Sequence, residues 1–558
     1  MRDYDEITAF LGERGPYHWF IFFLLSLSIF PNGFGGLTIL FVGDVPEHRC
    51  LIPGNLNLSE AWLNRTIPLV QERDKLQYSK CSRYRLDVIM NLSATFPDSD
   101  SFNMSEVEQE PCLDGWEYSK EQYISTIVSE WDLVCDNDWK TPLSMSIYFV
   151  GVLVGSFFSG MLSDRFGRKK VLFGTMAIQT GFNMLQVFSP NWEIFCLFNF
   201  LIGIGNISNY VAAFVLGSEL VGKSIRIAFS TMGIGIFYAL GYMFLPLVAY
   251  FIRSWKMLLF TLSLFGLLYI PLWWFIPESP RWLLSKGRIQ EAEAIIRLIA
   301  KKNGVTPPTV IFTELELEDL KGKNVKSFGI TDLIKTRNTR AITVINLPVW
   351  MILAIGYYGL ILNTPNLHGD DYLNCFLFGA SEIPAYVATW IFLQKLPRKF
   401  TLSGTLLFGG GVLFFIQLVP SNLPILTTVL TLFGKFGITI AFAIAYSYTA
   451  ELYPTVIRNT GVGMSSMASR LGSIISPYFS FLGVYHEFLP FILMGGLTVF
   501  SAILVLFLPE TINIPLPDTI SQMQKIKGFK GTFSNCCYFQ KNGTSRENNT
   551  IVIKEEEF

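Results

Sequence analysis

One arginine in this 558-residue chain, Arg470, stands in the stretch SSMASRLGSIISPY, which holds no other charge and lies within a run of apolar and small residues. A guanidinium at the centre of a membrane helix costs about 2.5–3.5 kcal/mol on the insertion scale. Such a residue is kept where it borders a cavity or a partner. Glu451 and Glu382 are the carboxylates that could neutralise it. Left free, Arg470 can grip a carboxylate on a ligand through two parallel hydrogen bonds. Tyr210, Tyr238, Tyr357, Tyr446, Tyr478 and Phe442 also lie in apolar runs, with Asn209 beside Tyr210. Phe442 and Tyr446 are four apart and share a helical face. Aromatic faces attract a quaternary ammonium without a hydrogen bond, for about 0.5–2 kcal/mol each. The plainer role for each ring is packing or an interfacial belt. An arginine opposite such rings suits a zwitterion with a carboxylate at one end and a trimethylammonium at the other.

A second motif points elsewhere. Gly217-Ser218-Glu219-Leu220-Val221-Gly222-Lys223-Ser224 matches the phosphate-loop spacing, with Gly217, Gly222, Lys223 and Ser224 in the defining positions. That loop needs a strand before it and a helix N-terminus facing the phosphate. Here it follows a long apolar run, so a phosphate would meet the negative end of a helix dipole, and nucleotide binding is the weaker reading. The four histidines, His18, His48, His368 and His486, have no metal-ligand spacing, and no hydrolytic or redox constellation stands out. The sequence gives no reason to expect an enzyme, a metal centre or a bound cofactor.

The elements that must position these residues are membrane spans. The chain is 51% apolar and 16% charged with a net charge of −1, which removes any global electrostatic case for nucleic acid. Runs of about 20 apolar residues, enough to cross the hydrocarbon core, lie near 18–42, 143–163, 171–189, 192–219, 227–251 and 257–276. They resume near 341–362, 372–394, 400–418, 423–450, 459–481 and 488–508. This reading divides the chain into an N-terminus (1–17), a six-helix bundle (18–276), a linker with short helices (277–340), a second bundle (341–509) and a tail (510–558). Lys and Arg cluster after spans two, four and eight, so both termini are expected in the cytosol; Arg253 and Lys256 are the exception. The segment 43–142 then lies outside. It carries Cys50, Cys81, Cys112 and Cys135, enough for two disulfides in any of three pairings. Acceptor sequons for glycosylation stand at Asn57, Asn64, Asn91 and Asn103.

The two six-span groups repeat. Glu219-Leu220-x4-Ile225-Arg226 returns as Glu451-Leu452-x4-Ile457-Arg458, and Pro277-Glu278-Ser279 returns as Pro509-Glu510-Thr511, both 232 residues on (219 to 451, 278 to 510). Two distant pairs at one offset point to a parallel duplication. Asp164, Arg165, Arg168, Glu219, Arg226, Glu451 and Arg458 are placed to pair acids with bases at helix ends and gate the cytosolic side.

Gly160-x3-Asp164-Arg165-x-Gly167-Arg168-Lys169 resembles the signature of the major facilitator superfamily. Pro277-Glu278-Ser279-Pro280-Arg281-Trp282, the long segment after span one and the 277–340 linker resemble the organic-ion transporters, solute carrier family 22. MRDYDE, NISNYVAAFVLG, LPLVAYFIR and TAELYPTVIRN resemble the novel organic cation/carnitine branch over residues 1 to about 525. The resemblance implies an all-α, 12-span plasma-membrane carrier that imports carnitine-like zwitterions and organic cations by alternating access. Transporters of simple cations in the related family have an acid at the position of Arg470, so an arginine there favours a carboxylate-bearing substrate. Sodium coupling is implied for carnitine, with Asn32, Gln179 and Glu451 as the matching polar positions; hard cations favour such oxygens. The alternative is a sodium-independent carrier or exchanger of cations such as tetraethylammonium, or of ergothioneine. The tail ends Glu555-Glu556-Glu557-Phe558, unlike the hydroxyl-containing ending of that branch. Phe558 is a candidate ligand for a PDZ groove.

Overall fold

In the computed structural model, the described residues are 4–12, 15–54, 56, 58–72, 75–96, 104, 107–312, 331–420, 423–454, 456–512 and 517. Asn57, Asn103 and Phe558 lie outside them, as do the side chains of Lys223 and Ser224.

Among the described residues there are twelve helical spans, in two groups of six. Span one is broken into Pro16–Leu27, Phe30–Gly35 and Ile39–Val42. Spans two, three and four are Lys140–Phe166, Arg168–Gln186 and Trp192–Leu220. Span five runs through Lys223–Ala228, a π-helical turn Phe229–Gly233 and Ile234–Phe251, and span six covers Trp255–Phe275. The second group comprises Arg337–Leu362, the pair Asp371–Ala380 and Glu382–Lys395, Arg398–Phe415, Pro424–Leu452, Arg458–Phe481 and Leu489–Val505. Among the described residues, nine of the twelve are long and apolar enough to cross a membrane on composition alone, and Leu489–Val505 is apolar but shorter. Spans three and eleven fall short because each turns a polar face into its bundle. Gln179 and Gln186 on one, and Ser465, Ser469, Ser473 and Ser476 on the other, are buried.

Small residues set the close crossings. A Cβ on Gly151 of span two would run into the Phe200 carbonyl of span four, so the two backbones touch only because no side chain intervenes. Span eleven lies against span seven in the second half as span four lies against spans two and three in the first.

The segment between spans one and two folds on three antiparallel two-stranded ladders: His48–Cys50 with Trp116–Tyr118, Leu69–Glu72 with Lys75–Tyr78, and Ser82–Tyr84 with Gln109–Pro111. Cys50 bonds Cys112 and Cys81 bonds Cys135, which selects one of the three pairings open to the sequence. Arg83 is buried beside them, donating to Glu110 at 2.9 Å, Asp114 at 2.6 Å and the Leu51 carbonyl at 2.8 Å. The end of the molecule carrying these disulfides is the outer end below; the other is the basic end.

The halves are joined at the outer end. Ser146 donates to the Ile474 carbonyl at 2.8 Å, Phe149 packs edge-on against Tyr358 with centroids 4.9 Å apart, and Phe41 stacks on Tyr372 at 5.3 Å. At the basic end each half carries its own ion pairs. Arg168 pairs with Asp164 at 2.7 Å and Glu219 at 3.4 Å, and Arg398 with Glu451 at 3.4 Å. Glu278 accepts the backbone N–H of Arg168 and Lys169, and Glu510 accepts those of Arg398 and Lys399. The duplicated motif is thus a duplicated helix cap, an acid at the positive end of spans three and nine. Asp164 is largely solvent-exposed. Between the outer and basic ends, side chains of the two halves face one another across a space called the chamber below.

Candidate functional site

Six helices aim polar side chains into that chamber: Tyr210 from span four, Tyr238 from span five, Tyr358 from span seven, Tyr386 from span eight, Tyr446 from span ten and Arg470 from span eleven. Arg470 is half-buried. Its guanidinium faces the Tyr358 hydroxyl, Tyr446 and Tyr210. Its Nε is buried and has no hydrogen-bond partner, and among the described residues no carboxylate lies within ion-pair distance of it. The two acids the sequence offered are committed elsewhere. Glu451 holds Arg398 and accepts from Thr511 at the basic end, and Glu382 holds Lys435.

An aromatic wall stands opposite. Trp350 meets Tyr446 at 4.5 Å and 84° and Phe442 at 5.9 Å; Phe442 in turn meets Tyr357 at 5.5 Å. Trp350 is held by its indole N–H, which donates to Thr449 at 2.9 Å. Asn346 braces the same corner, donating to Ser465 at 2.8 Å. Tyr446 is 38% exposed although it sits in mid-span, which puts its ring on the open chamber.

Beside this wall lies an ion pair that the sequence reading did not anticipate, since it missed Lys435. Lys435 and Glu382, both at 0% side-chain exposure, pair at 2.8 Å. Glu382 Oε1 also accepts the Tyr357 hydroxyl at 2.5 Å, and Lys435 donates to the Phe378 carbonyl at 2.9 Å. The ammonium lies over the rings of Tyr242, Tyr357 and Phe378 at 5.4–5.7 Å. Glu382 Oε2 is buried without a partner. Span eight breaks at Ser381, immediately before this glutamate. Trp350, Tyr358 and Tyr386 were also missed. A single lysine inside an apolar run was the available signal.

Asn209 is drawn away from the wall. Its Nδ2 donates to Asn32 Oδ1 at 3.1 Å and to the Ser28 carbonyl at 3.4 Å, while Asn32 donates to the Asn206 carbonyl at 3.3 Å. Gln179 completes this amide cluster across Gly35, where a Cβ would sit 2.8 Å from Gln179 Nε2 and 3.2 Å from Asn206 Nδ2. Asn209 Oδ1 is buried and unpaired. Glu451 is remote from this cluster, in the basic-end ion pair. Tyr478 is 40% exposed and shares no ring contact or side-chain hydrogen bond with the wall among the described residues. Arg226 lies in the last turn of the short helix Lys223–Ala228 at the start of span five, and Arg458 opens span eleven, its Nε donating to the Tyr453 carbonyl at 3.4 Å. Arg165 lies over Phe166 at 5.4 Å.

The phosphate-loop reading is corrected by the backbone. Gly217 lies inside the helix Trp192–Leu220 with Phe229 packed where its side chain would be, and Gly222 only precedes the next helix. No loop is left between Gly217 and Leu220 to cradle a phosphate.

Comparison with known proteins agrees with this architecture. Residues 89–521 match the family described as Sugar (and other) transporter. The chain is 59% identical to the rat organic cation/carnitine transporter 2 over 531 residues, 95% of each chain. It is 55% identical to mouse solute carrier family 22 member 4, covering 95% of this chain and 96% of the relative. An inward-open structure of the Escherichia coli xylose transporter XylE superposes with a TM-score of 0.62 at 16% identity, over 91% of this chain and all of that one. The chain therefore belongs to the major facilitator superfamily and, within its transporters, to the organic cation/carnitine branch of solute carrier family 22.

Proposed function

We propose that this protein is a secondary active carrier importing carnitine-like zwitterions and organic cations across the plasma membrane by alternating access. Its termini lie in the cytosol, and sodium is coupled to zwitterion uptake. The observation that carries the reading is Arg470, which is half-buried, lacks a carboxylate partner among the described residues and faces an aromatic wall. A substrate carboxylate satisfies the guanidinium, and its trimethylammonium rests on Tyr446 and Phe442, which Trp350 backs from behind. The names of the close relatives favour the same solutes. Sodium coupling draws support from the Asn32, Asn209 and Gln179 amides and the unpaired Asn209 Oδ1.

The test is uptake of labelled carnitine and tetraethylammonium, with and without sodium, by the wild type and Arg470→Ala. Loss of a charge-assisted contact worth about 1.5–3 kcal/mol lowers carnitine kcat/KM at least about tenfold, and tetraethylammonium uptake survives. Normal carnitine uptake by Arg470→Ala at normal surface expression refutes the carboxylate grip. A second reading, a sodium-independent carrier of simple cations, is favoured by the unpartnered Glu382 Oε2. Sodium-indifferent tetraethylammonium uptake without carnitine uptake would put it first.

A further inference from the structure

Arg253 and Lys256 break the charge pattern of the loops, and both find partners in the disulfide-bonded segment. Arg253 Nη1 donates to the Glu121 carbonyl at 3.1 Å. Lys256 pairs with Glu130, whose carboxylate also accepts the Trp255 indole N–H at 3.0 Å. The backbone joins in the same place. Ile124 donates to the Arg253 carbonyl at 3.0 Å, Trp255 donates to the Ser125 carbonyl at 3.1 Å, and the hydroxyls of Ser125 and Ser254 lie 3.0 Å apart. Residues 121–130 are therefore bolted to the turn between spans five and six, so they belong mechanically to the first half. That anchorage accounts for two cations at the outer end.

From it, Gln122 crosses to the second half. Its Nε2 donates to the Asp371 carboxylate at the start of span eight, and its backbone carbonyl accepts the Tyr372 hydroxyl at 3.4 Å. Tyr372 is 8% exposed and is enclosed by aromatic rings of the first half. It stacks on Phe41 of span one at 5.3 Å, meets Tyr250 of span five edge-on at 5.6 Å, and lies 6.4 Å from Tyr123 of the outer segment. One side chain of the second half thus touches three elements of the first. None of these residues belongs to the group around Arg470. Parting the halves at the outer end must break these contacts together.

We infer that the disulfide-bonded segment is a working part of the outer gate, with Gln122 and Tyr372 as the latch that holds the two halves together there. The inference rests on the alternating access proposed above and names the contacts that its outward-opening step releases. Weakening the latch shifts the resting equilibrium toward the outward-open state.

A native thiol reports on that step. Cys375, 1% exposed, lies one helical turn beyond Asp371. One turn further on, a Cβ on Gly379 would sit 3.2 Å from the Met243 nitrogen and 3.3 Å from Tyr242, so spans five and eight touch directly. Their separation at the outer end uncovers Cys375. The test measures its labelling in intact cells by a membrane-impermeant methanethiosulfonate, without solute, with Cys375→Ser to identify the signal. Gln122→Ala raises the labelling rate about fivefold. Tyr372→Ala raises it about tenfold or more, and Tyr372→Phe, which keeps the ring contacts, raises it less than Tyr372→Ala. Gln122→Glu sets two carboxylates against each other and labels faster than Gln122→Ala; adding Asp371→Asn to it restores the wild-type rate. The KM for external carnitine falls by up to the same factors as the outward-open fraction rises, while maximal uptake does not increase. Wild-type labelling in both Gln122→Ala and Tyr372→Ala overturns the inference. So does a loss of maximal uptake with labelling and KM unchanged, which marks a structural role alone. Countertransport of labelled carnitine by the wild type reads alternating access independently. Its absence removes the carrier reading, and the labelling still decides the latch.

Discussion

Breaking the Lys435–Glu382 pair from its two sides should not cost the same. Lys435→Met leaves a fully buried carboxylate with one remaining donor, the Tyr357 hydroxyl, and with Oε2 still unpaired. An uncompensated buried charge of this kind costs about 3–5 kcal/mol. Glu382→Gln leaves an ammonium that keeps the Phe378 carbonyl at 2.9 Å and three ring faces at 5.4, 5.5 and 5.7 Å. Desolvated cation–π contacts contribute about 0.5–2 kcal/mol each. They offset much of the loss and bring the net cost to about 1–3 kcal/mol. The double variant Glu382→Gln/Lys435→Met removes both charges and should lie closer to wild type than Lys435→Met alone. Reversible unfolding in mixed detergent micelles supplies the three free energies. The reasoning is refuted if Glu382→Gln costs as much as Lys435→Met, or if the two single losses simply add in the double variant.

Glu278→Gln and Glu510→Gln should each cost about 1–2 kcal/mol, since each acid caps a helix N-terminus with two accepted N–H groups. Thermal unfolding in detergent checks this, and a large effect from only one of them would refute the shared role. Asn64→Gln and Asn91→Gln, at exposed sites on the disulfide-bonded segment, should each remove one glycosidase-sensitive step in gel mobility. An unchanged ladder would contradict an extracellular placement.

The duplication was legible because its residues are local: an acid, a base and a capping glutamate keep one spacing in both halves. Arg470, Tyr210, Phe442 and Tyr446 were legible because each violates the polarity of its surroundings or shares a helical face. Lys435 obeys the same rule as Arg470 and escaped notice inside a 29-residue helix whose average is apolar. Its partner Glu382 lies on another helix, and no short-range spacing joins the two. Tyr358 was hidden by its neighbour. Successive residues on a helix point about 100° apart, so Tyr357 turns to Glu382 while Tyr358 turns to Arg470. Tyr478 failed for the complementary reason. Eight residues carry it about 12 Å along the helix from Arg470 and about 80° around it, outside the wall.

The two buried cations of the second half differ in what satisfies them, and that difference gives the carrier a physical basis for coupling. Lys435 has its counter-ion inside the protein, so its environment is the same whether or not a solute is present. Arg470 has a phenol beside it and, among the described residues, no carboxylate within ion-pair distance. Closing the halves over an empty chamber would leave that guanidinium without an acid, at the cost of an unpaired buried charge. With a carboxylate seated on Arg470 the same closure desolvates a hydrogen-bonded ion pair, and the penalty falls by the interaction gained. A ligand shifts a conformational equilibrium only by its difference in affinity for the two states. On the proposed reading that difference is concentrated at one guanidinium, so a solute lacking a carboxylate must obtain its differential binding elsewhere.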